Sequence, residues 1–273
     1  MPLLDWLFRL LRPKDAVMGI KIKSAEEIKA LRESGRLVAQ TFALIKQAIQ
    51  PGVRLAELDH IATEFLTSKG AKPLYKGYRG RPPSHPPFPG VICASINEEI
   101  CHGLPNERVL RNGDIVGIDI GLLFNGWCGD ACVTYPVGKI GAEVQRLLRV
   151  TEECLKLGIE AAQPGRHISD IGAAIENHAI RYRYSVVREW GGHGLGRTLH
   201  EAPNVLHVGP AGQGPILLPG MVFTIEPMIN AGRADWRLLD DGWTVITEDR
   251  RLSAQFEHTI AITKEGPIIL SVL

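Results

Sequence analysis

Residues 115–123 have the sequence Ile-Val-Gly-Ile-Asp-Ile-Gly-Leu-Leu, a β-rich run that carries a carboxylate, Asp119, among apolar neighbours. Two later runs share this feature, with Glu226 in Val-Phe-Thr-Ile-Glu-Pro-Met (222–228) and Glu257 in Phe-Glu-His-Thr-Ile (256–260). A strand that alternates its side chains would point any one of these acids to solvent. Burial of an unpaired ionised carboxylate costs several kcal/mol, so the three acids together predict a buried acidic site with compensating partners.

Helical segments occur as two pairs that alternate with the β-rich runs. Ser24-Ala25-Glu26-Glu27 has the spacing of a capping box and predicts the start of the first helix. Apolar periodicity and Pro-Gly or Gly stops predict helices at about 25–49, 55–69, 141–162 and 168–183. The β-rich runs lie at 91–96, 115–123, 127–137, 222–229, 243–247 and 255–263. This order predicts an α+β fold, because it lacks the strict β-α-β alternation of a doubly wound sheet.

Composition excludes several classes of protein. The chain has 273 residues, with 31 Lys+Arg against 30 Asp+Glu and a formal net charge of +1. Nucleic-acid-binding domains usually have a basic excess, so this charge argues against nucleic acid as a partner. No stretch approaches the roughly 18–20 consecutive apolar residues that span a membrane. Five cysteines, an odd number, are typical of small buried side chains in a reducing compartment, and we expect the cytoplasm.

Residues 1–19 are predicted to form an apolar N-terminal extension, with leucines and aromatic residues between Leu3 and Leu11. The segment lacks a basic n-region and a small-residue cleavage site, so it is not typical of a secretory signal. It is either a short helix docked on the body or an adhesive peptide for a membrane surface or a partner such as the ribosome. Residues 20–273 are predicted to form a single domain, with a loop at 79–90 that contains five of the 18 prolines.

Asp130 and His193 extend the set of candidate site residues. Asp130 lies near the turn after the run that holds Asp119, and hairpin pairing can point both acids to the same place. Four glycines flank His193 in Gly-Gly-His-Gly-Leu-Gly (191–196), which lets backbone and ring approach a ligand closely. A lone histidine there would be an ordinary loop residue, but beside four buried acids it is predicted to be a metal ligand.

The charge of this set predicts its ion content. Four carboxylates and a neutral imidazole carry about −4, which two divalent cations would neutralise without Lys or Arg. Oxygen ligands with one imidazole and no thiolate suit Mn, Co, Fe or Zn. Paired metals of this kind occur in hydrolases and aminopeptidases, so the predicted reaction class is hydrolysis.

Over about residues 20–270, the chain resembles the type I methionine aminopeptidases, a family of pita-bread metallopeptidases. The separations of 11, 63, 33 and 31 residues between the five candidate ligands, from Asp119 to Glu257, are also similar to those of the family. The resemblance rests on Ser-Ile-Asn-Glu-Glu-Ile-Cys-His-Gly-Leu-Pro (95–105), Gly-Asp-Ile-Val-Gly-Ile-Asp (113–119), Gly-His-Gly-Leu-Gly-Arg (192–197), His-Glu-Ala-Pro (200–203), Thr-Ile-Glu-Pro (224–227), Asp-Gly-Trp-Thr (241–244) and Ser-Ala-Gln-Phe-Glu-His-Thr (253–259). It implies a pseudo-twofold pita-bread fold, in which a curved antiparallel sheet carries two pairs of helices on its outer face.

The resemblance also implies the metal ligands. Asp130 and Glu257 would bridge two divalent ions, drawn from Co, Mn, Fe, Zn or Ni. Asp119 would complete one metal site, and His193 and Glu226 would complete the other. The reaction would be removal of the initiator methionine from nascent proteins and peptides whose second residue is small.

The remaining roles follow the same resemblance. Glu226 would help handle the proton, His200 would contact the peptide carbonyl, and His102 would contact the amide on the leaving side. The pocket for the methionine side chain would be formed by Cys93, Trp243 and Leu199, with Tyr78 or Phe88 as the remaining wall. The expected assembly is a monomer, with at most a transient ribosome contact.

Three departures from the family pattern stand out. The proline-rich loop at 79–90 is longer than usual, Ala131 stands where Thr or Ser is common, and Gly121 stands where Thr is usual. The last two remove hydroxyl groups near the ligands, which predicts a shift in metal affinity. Two alternatives stay open, an X-Pro-specific peptidase of the same fold and a non-catalytic pita-bread module that binds peptides.

Overall fold

We analysed a computed structural model that describes residues 19–80 and 86–273. The predicted apolar extension, apart from Gly19, lies outside the described residues, as does the middle of the proline-rich loop at 81–85. The described ends of that loop are joined by backbone hydrogen bonds, from Phe88 N to Tyr78 O (2.9 Å) and from Gly77 N to Phe88 O (2.8 Å). The described residues on the two sides of the gap at 81–85 are therefore held next to each other.

The helices agree with their predicted positions to within two residues at each end. The capping box forms as expected, since the Glu27 N–H donates to Ser24 Oγ (3.3 Å) and the Ser24 N–H donates to Glu27 Oε2 (3.0 Å). The described residues form the helices α1 (Ala25–Ala48), α2 (Leu55–Ser68), α3 (Ala142–Ala161) and α4 (Ser169–Arg181). None of the helices in this part of the chain is long and apolar enough to cross a membrane.

The strands pair antiparallel throughout the described ranges. They are β1 (Lys72–Pro73), β2 (Cys93–Ile96), β3 (Glu99–Cys101), β4 (Ile115–Phe124), β5 (Trp127–Pro136), β6 (Ser185–Val186), β7 (Gly192–Gly194), β8 (Glu201–Val205), β9 (Val222–Ile225), β10 (Met228–Asn230), β11 (Trp236–Leu238), β12 (Val245–Thr247), β13 (Ser253–Gln255), β14 (His258–Thr263) and β15 (Gly266–Ile269). In the first half, β4 lies between β5 on one side and β1 and β2 on the other; in the second, the order is β15-β14-β9-β7-β8. Two smaller sheets, β13-β10-β6 and β11-β12-β3, complete the β structure.

Two predicted strands are interrupted where their carboxylates lie. The expected strand at 222–229 splits into β9 and β10 around Glu226, and the one at 255–263 splits into β13 and β14 around Glu257. Pro227 has no N–H to donate, and the Glu257 N–H donates to Cys132 O (2.8 Å) in place of a ladder partner. The prediction of two continuous strands was therefore wrong, because the backbone pairing of each strand is interrupted at its acid.

Each helix pair packs on its own half of the β structure. Apolar residues of α1 and α2 share a core with β2, β4 and β5, and those of α3 and α4 share a second core with β9 and β14. The contact of α1 with β5 is close, since a Cβ on Gly129 would lie 2.7 Å from the Ser34 carbonyl oxygen. The predicted order of helix pair and strands, repeated once, is confirmed.

Candidate metal centre

Asp119 and Asp130 lie on one face of the β4–β5 hairpin. In its register Asp119 pairs with Cys132, and Gly121 pairs with Asp130, so the two acids are diagonal neighbours. The Tyr75 hydroxyl group lies 2.5 Å from Asp119 Oδ1 and 2.9 Å from Asp130 Oδ1. The hairpin therefore brings two carboxylates to one point, as its sequence predicts.

His193 and Glu226 reach the same place from the second half of the fold. His193 Nε2 lies 3.5 Å from Asp130 Oδ2 and 3.8 Å from Glu226 Oε1. The Thr224 hydroxyl joins their strands, since it accepts the His193 backbone N–H (3.0 Å) and donates to Glu226 Oε1 (2.9 Å). His193 Nδ1 lies 3.1 Å from the Gly194 carbonyl, and a proton donated there leaves the Nε2 lone pair directed at the acids.

Glu257 completes the cluster. Asp130, His193 and Glu257 each offer a ligand atom, and these atoms lie within 4.8 Å of one another. Their residues are only 3%, 9% and 2% exposed. The structure therefore brings together all five residues that the sequence singles out as ligands.

The electrostatics of the cluster favour bound cations. Burial raises the pKa of Asp119 to about 6, and burial together with the neighbouring carboxylates raises those of Asp130, Glu226 and Glu257 further. Within the described ranges these acids form no ion pair with Lys or Arg. Burial lowers the pKa of their neighbour His193 to about 3, so its imidazole is neutral and does not balance their charge. Four carboxylates, two of them buried and two half-buried, and one imidazole without a basic counter-ion fit divalent metal ions.

Several residues that support the ligands were missed by sequence reasoning. Gln255 Nε2 donates to Glu226 Oε2 (3.3 Å), and the Thr259 hydroxyl donates to the backbone carbonyl of Asp130 (2.7 Å). Both lie in the quoted segment 253–259, so their position next to Glu257 was a usable signal. Tyr75 lies 44 residues before Asp119 and no pattern in the chain marked it.

Two histidines lie beside the cluster. The ring centroids of His200 and His193 are 4.4 Å apart. His102 directly follows β3 and adopts a left-handed backbone conformation with φ 56°. Burial, with a smaller contribution from His200, lowers the pKa of His102 to about 4, so the His102 imidazole is neutral at physiological pH.

Three residues of the predicted methionine pocket form an apolar cluster beside the acids. Phe88, Cys93 and Trp243 are buried against each other, with Tyr75 and Leu104 at its edge. The rings of Phe88 and Trp243 meet edge to face at 5.3 Å. The Trp243 indole donates from Nε1 to the Pro86 carbonyl (2.9 Å), which ties the pocket to the described end of the proline-rich loop.

The two other predicted pocket residues, Tyr78 and Leu199, lie outside this apolar cluster. Tyr78 is 42% exposed, and its ring lies 6.3 Å from that of Trp243 and 6.1 Å from that of His200. Leu199 packs against a different apolar cluster, which includes Trp127 and Leu195. Of the alternatives Tyr78 and Phe88, Phe88 is buried in the apolar cluster and Tyr78 is exposed beside it.

Known proteins are similar to this chain in sequence and in architecture. "Methionine aminopeptidase 1" of Bacillus subtilis (strain 168) is 49% identical over 249 residues, covering 91% of this chain and 98% of that protein. The crystal structure of methionine aminopeptidase from Rickettsia prowazekii superimposes with a TM-score of 0.89 at 44% identity, covering 93% of this chain and all of that one. A prolidase structure from Pyrococcus furiosus gives a TM-score of 0.73 at 21% identity, covering 92% of this chain and 65% of the prolidase, which shows the shared fold alone. The predicted pita-bread fold is confirmed by these likenesses. The sequence profile of metallopeptidase family M24 matches residues 29–264, and the chain belongs to that family.

Proposed function

We propose that this protein is a methionine aminopeptidase, which hydrolyses the first peptide bond of a protein or peptide and releases its N-terminal methionine. The observation that carries the proposal is the convergence of Asp119, Asp130, His193, Glu226 and Glu257 beside the apolar cluster of Phe88, Cys93 and Trp243. The names of the relatives that are 43–49% identical support it.

The five ligands are proposed to hold two divalent ions. Asp119, Asp130, Glu226 and Glu257 would hold them through carboxylate oxygens, and His193 would hold them through its imidazole. Bound there, divalent ions would polarise the peptide carbonyl and make water a better nucleophile at neutral pH. The metal can be Co, Mn, Fe, Zn or Ni, since oxygen and imidazole donors accept each of them.

The remaining polar residues bind the peptide and handle its protons. Glu226 accepts the proton of the attacking water and returns it to the leaving amine, with Thr224 and Gln255 as the donors that hold its carboxylate. His200, beside His193, steadies the developing oxyanion, and neutral His102 hydrogen-bonds the amide on the leaving side.

The pocket selects the first residue of the substrate. Phe88 and Trp243 present aromatic surfaces, and Cys93 presents a small apolar wall between them and Asp119. An unbranched thioether fits such an irregular space and makes favourable contacts between sulfur and aromatic rings. Tyr78 lies at the rim and Leu199 beyond it, so the effect of Leu199 on substrate choice is expected to be smaller.

The wider setting is also proposed. Residues 20–273 act as one catalytic domain on the N-termini of nascent chains, as a monomer in the cytoplasm. The apolar segment 1–19 either docks on this domain or makes a transient contact with the ribosome or a membrane surface. Removal of residues 1–16, followed by fractionation of cell extracts, would separate these interpretations.

The test is release of methionine from a Met-Ala-Ser peptide by protein loaded with Mn, Co, Fe or Zn. An Ala-Pro peptide is the comparison, because cleavage of that peptide alone would favour an X-Pro peptidase. Metal binding without cleavage of either peptide would favour the non-catalytic module. Absence of methionine release with every metal would refute the proposed activity.

Glu226→Gln tests the proton-handling role. The variant keeps a side chain of the same size and is expected to retain the fold, with kcat at least about 100-fold lower. Glu248→Gln is the matched control, because Glu248 is exposed and pairs with Arg237 on the surface. Unimpaired turnover by Glu226→Gln would remove Glu226 from the mechanism.

A further inference from the structure

The hydroxyl group of Tyr75 lies among the acids of the metal centre. It contacts Asp119 Oδ1 at 2.5 Å and Asp130 Oδ1 at 2.9 Å. The Tyr75 hydroxyl is the donor in these contacts, because the carboxylate oxygens can only accept. A single proton serves one strong acceptor at a time, and the shorter distance identifies Asp119 as that acceptor.

Gly121 makes room for the Tyr75 ring. Asp119 is two residues before Gly121 on the same strand, so both positions are on one face of it. Gly121 lies directly opposite Asp130 in the hairpin. A Cβ at this position would lie 2.6 Å from Tyr75 Cε1 and 2.9 Å from Cζ, which are contacts that a rigid ring cannot relieve without moving. The Tyr75 ring can therefore occupy this place only because residue 121 has no side chain.

We propose that Tyr75, admitted by Gly121, is the positioning residue that orients the Asp119 carboxylate for metal binding. It takes the place of a hydroxyl group that a side chain at position 121 would otherwise direct at the acids. Hydrogen bonds of this kind fix the direction of a ligand's lone pairs, and their loss typically weakens metal binding by about 10–100-fold. The inference rests on the proposed metal site but not on the proposed peptidase activity.

The direct test is calorimetric titration of the full chain with Co²⁺. Tyr75→Phe keeps the ring and removes the hydroxyl, and it is expected to weaken Co²⁺ binding by about tenfold and to shift the visible Co²⁺ absorption bands. Tyr135→Phe is the matched control, because it removes a phenol from the same hairpin at its far end, opposite Val116. Its Co²⁺ affinity and spectrum are expected to equal those of the unmodified protein.

Substitutions at Gly121 test the coupling. Gly121→Ala should displace the ring and weaken Co²⁺ binding about as much as Tyr75→Phe, and the double variant should be no weaker than either single variant. Gly121→Thr displaces the ring but brings its own hydroxyl, so it should bind Co²⁺ more tightly than Gly121→Ala. Circular dichroism of each variant checks that the fold is retained.

The outcomes separate this inference from the proposed function. Unchanged affinity in Tyr75→Phe would overturn the inference, and tighter binding would overturn it too, because the phenol would then compete with the metal. Additive losses in the double variant would refute the dependence on Gly121. Normal Co²⁺ titrations without methionine release would refute the proposed peptidase and leave the role of Tyr75 intact.

Discussion

The ion pair between Lys23 and Glu201 predicts a measurable link between the first described residues and the loop that carries His200. Lys23 Nζ lies 2.8 Å from Glu201 Oε2, and the two side chains are only 6% and 4% exposed. Glu201 also accepts from Lys21 Nζ (3.0 Å) and from the Thr198 hydroxyl (3.2 Å). Because Glu201 directly follows His200, this pair holds the backbone that presents the imidazole.

The arrangement gives the expected magnitudes. Removal of one partner of a buried ion pair usually costs about 3–5 kcal/mol. Lys23→Met should cost less, about 2 kcal/mol, because the exposed Lys21 still faces Glu201. Glu201→Gln leaves the buried Lys23 without an acid and should cost about 3 kcal/mol. The double variant leaves no unpaired buried charge, so it should cost about as much as Glu201→Gln alone.

Urea denaturation of the four proteins at equal metal loading measures these free energies of unfolding. The expected coupling between the two substitutions is about 2 kcal/mol, and strictly additive losses would contradict the ion-pair argument. Lys23→Met should also lower kcat about tenfold at a temperature where it is folded, since displacement of a positioned group by about 1 Å can cost up to about 100-fold.

The dependence on pH has a defined sign. Burial alone raises the pKa of Glu201, but the hydrogen bonds from Lys23 and Lys21 outweigh burial and lower it from 4.5 to about 2. A carboxyl group with a lowered folded-state pKa stabilises the fold above its unfolded pKa and loses that effect as the pH falls through the folded pKa. The stability difference between the unmodified protein and Lys23→Met should therefore be constant above about pH 4.5 and shrink towards pH 2.

Three further predictions concern packing, substrate choice and the metals. Gly192→Ala should destabilise the fold by about 3 kcal/mol in a urea titration, because its Cβ would lie 2.0 Å from the Thr224 carbonyl oxygen. Gly141 has open space around it, so Gly141→Ala should change the free energy of unfolding by less than about 1 kcal/mol in the same titration. Trp243→Leu should lower kcat/KM for Met-Ala-Ser by about tenfold, and an unchanged value in steady-state kinetics would exclude Trp243 from the pocket. Chelation should lower the melting temperature, since an ion at about 100 times its Kd stabilises the fold by about 2.7 kcal/mol, and a melting temperature independent of Co²⁺ concentration would count against the site.

Much of the framework could be predicted because its signals are local. The capping box at Ser24 and the apolar periodicity after it depend on residues within one or two helical turns. The acids of the site were visible because Asp119 and Glu226 contradict the apolar pattern around them. The hairpin between β4 and β5 needed only a short turn to place Asp130 beside Asp119.

The features that were missed depend on contacts distant in sequence. Lys23 and Glu201 are 178 residues apart, and nothing near either residue indicates the other. Tyr75 meets Asp119 only after the hairpin has formed and only because Gly121 lacks a side chain. Pro227 is a local signal for the interruption of the strand at Glu226. The interruption at Glu257 has no such signal, because it follows from the pairing of β13 with β10 and of β14 with β9.

The cost of burying the acids explains both the broken ladders and the donors around them. Asp119 and Asp130 reach the cluster from the continuous β4–β5 hairpin, whereas Glu226 and Glu257 reach it from the interruptions between β9 and β10 and between β13 and β14. Interruption of both strands at one level frees Glu226 and Glu257 to reach the cluster. Thr224 and Gln255 then donate hydrogen bonds to the Glu226 carboxylate, and Tyr75 donates to that of Asp119. Bound cations would complete this compensation, so the residues that hold the metals and those that stabilise the fold are coupled. Substitution of a supporting donor should therefore lower metal affinity before it lowers the stability of the metal-free fold.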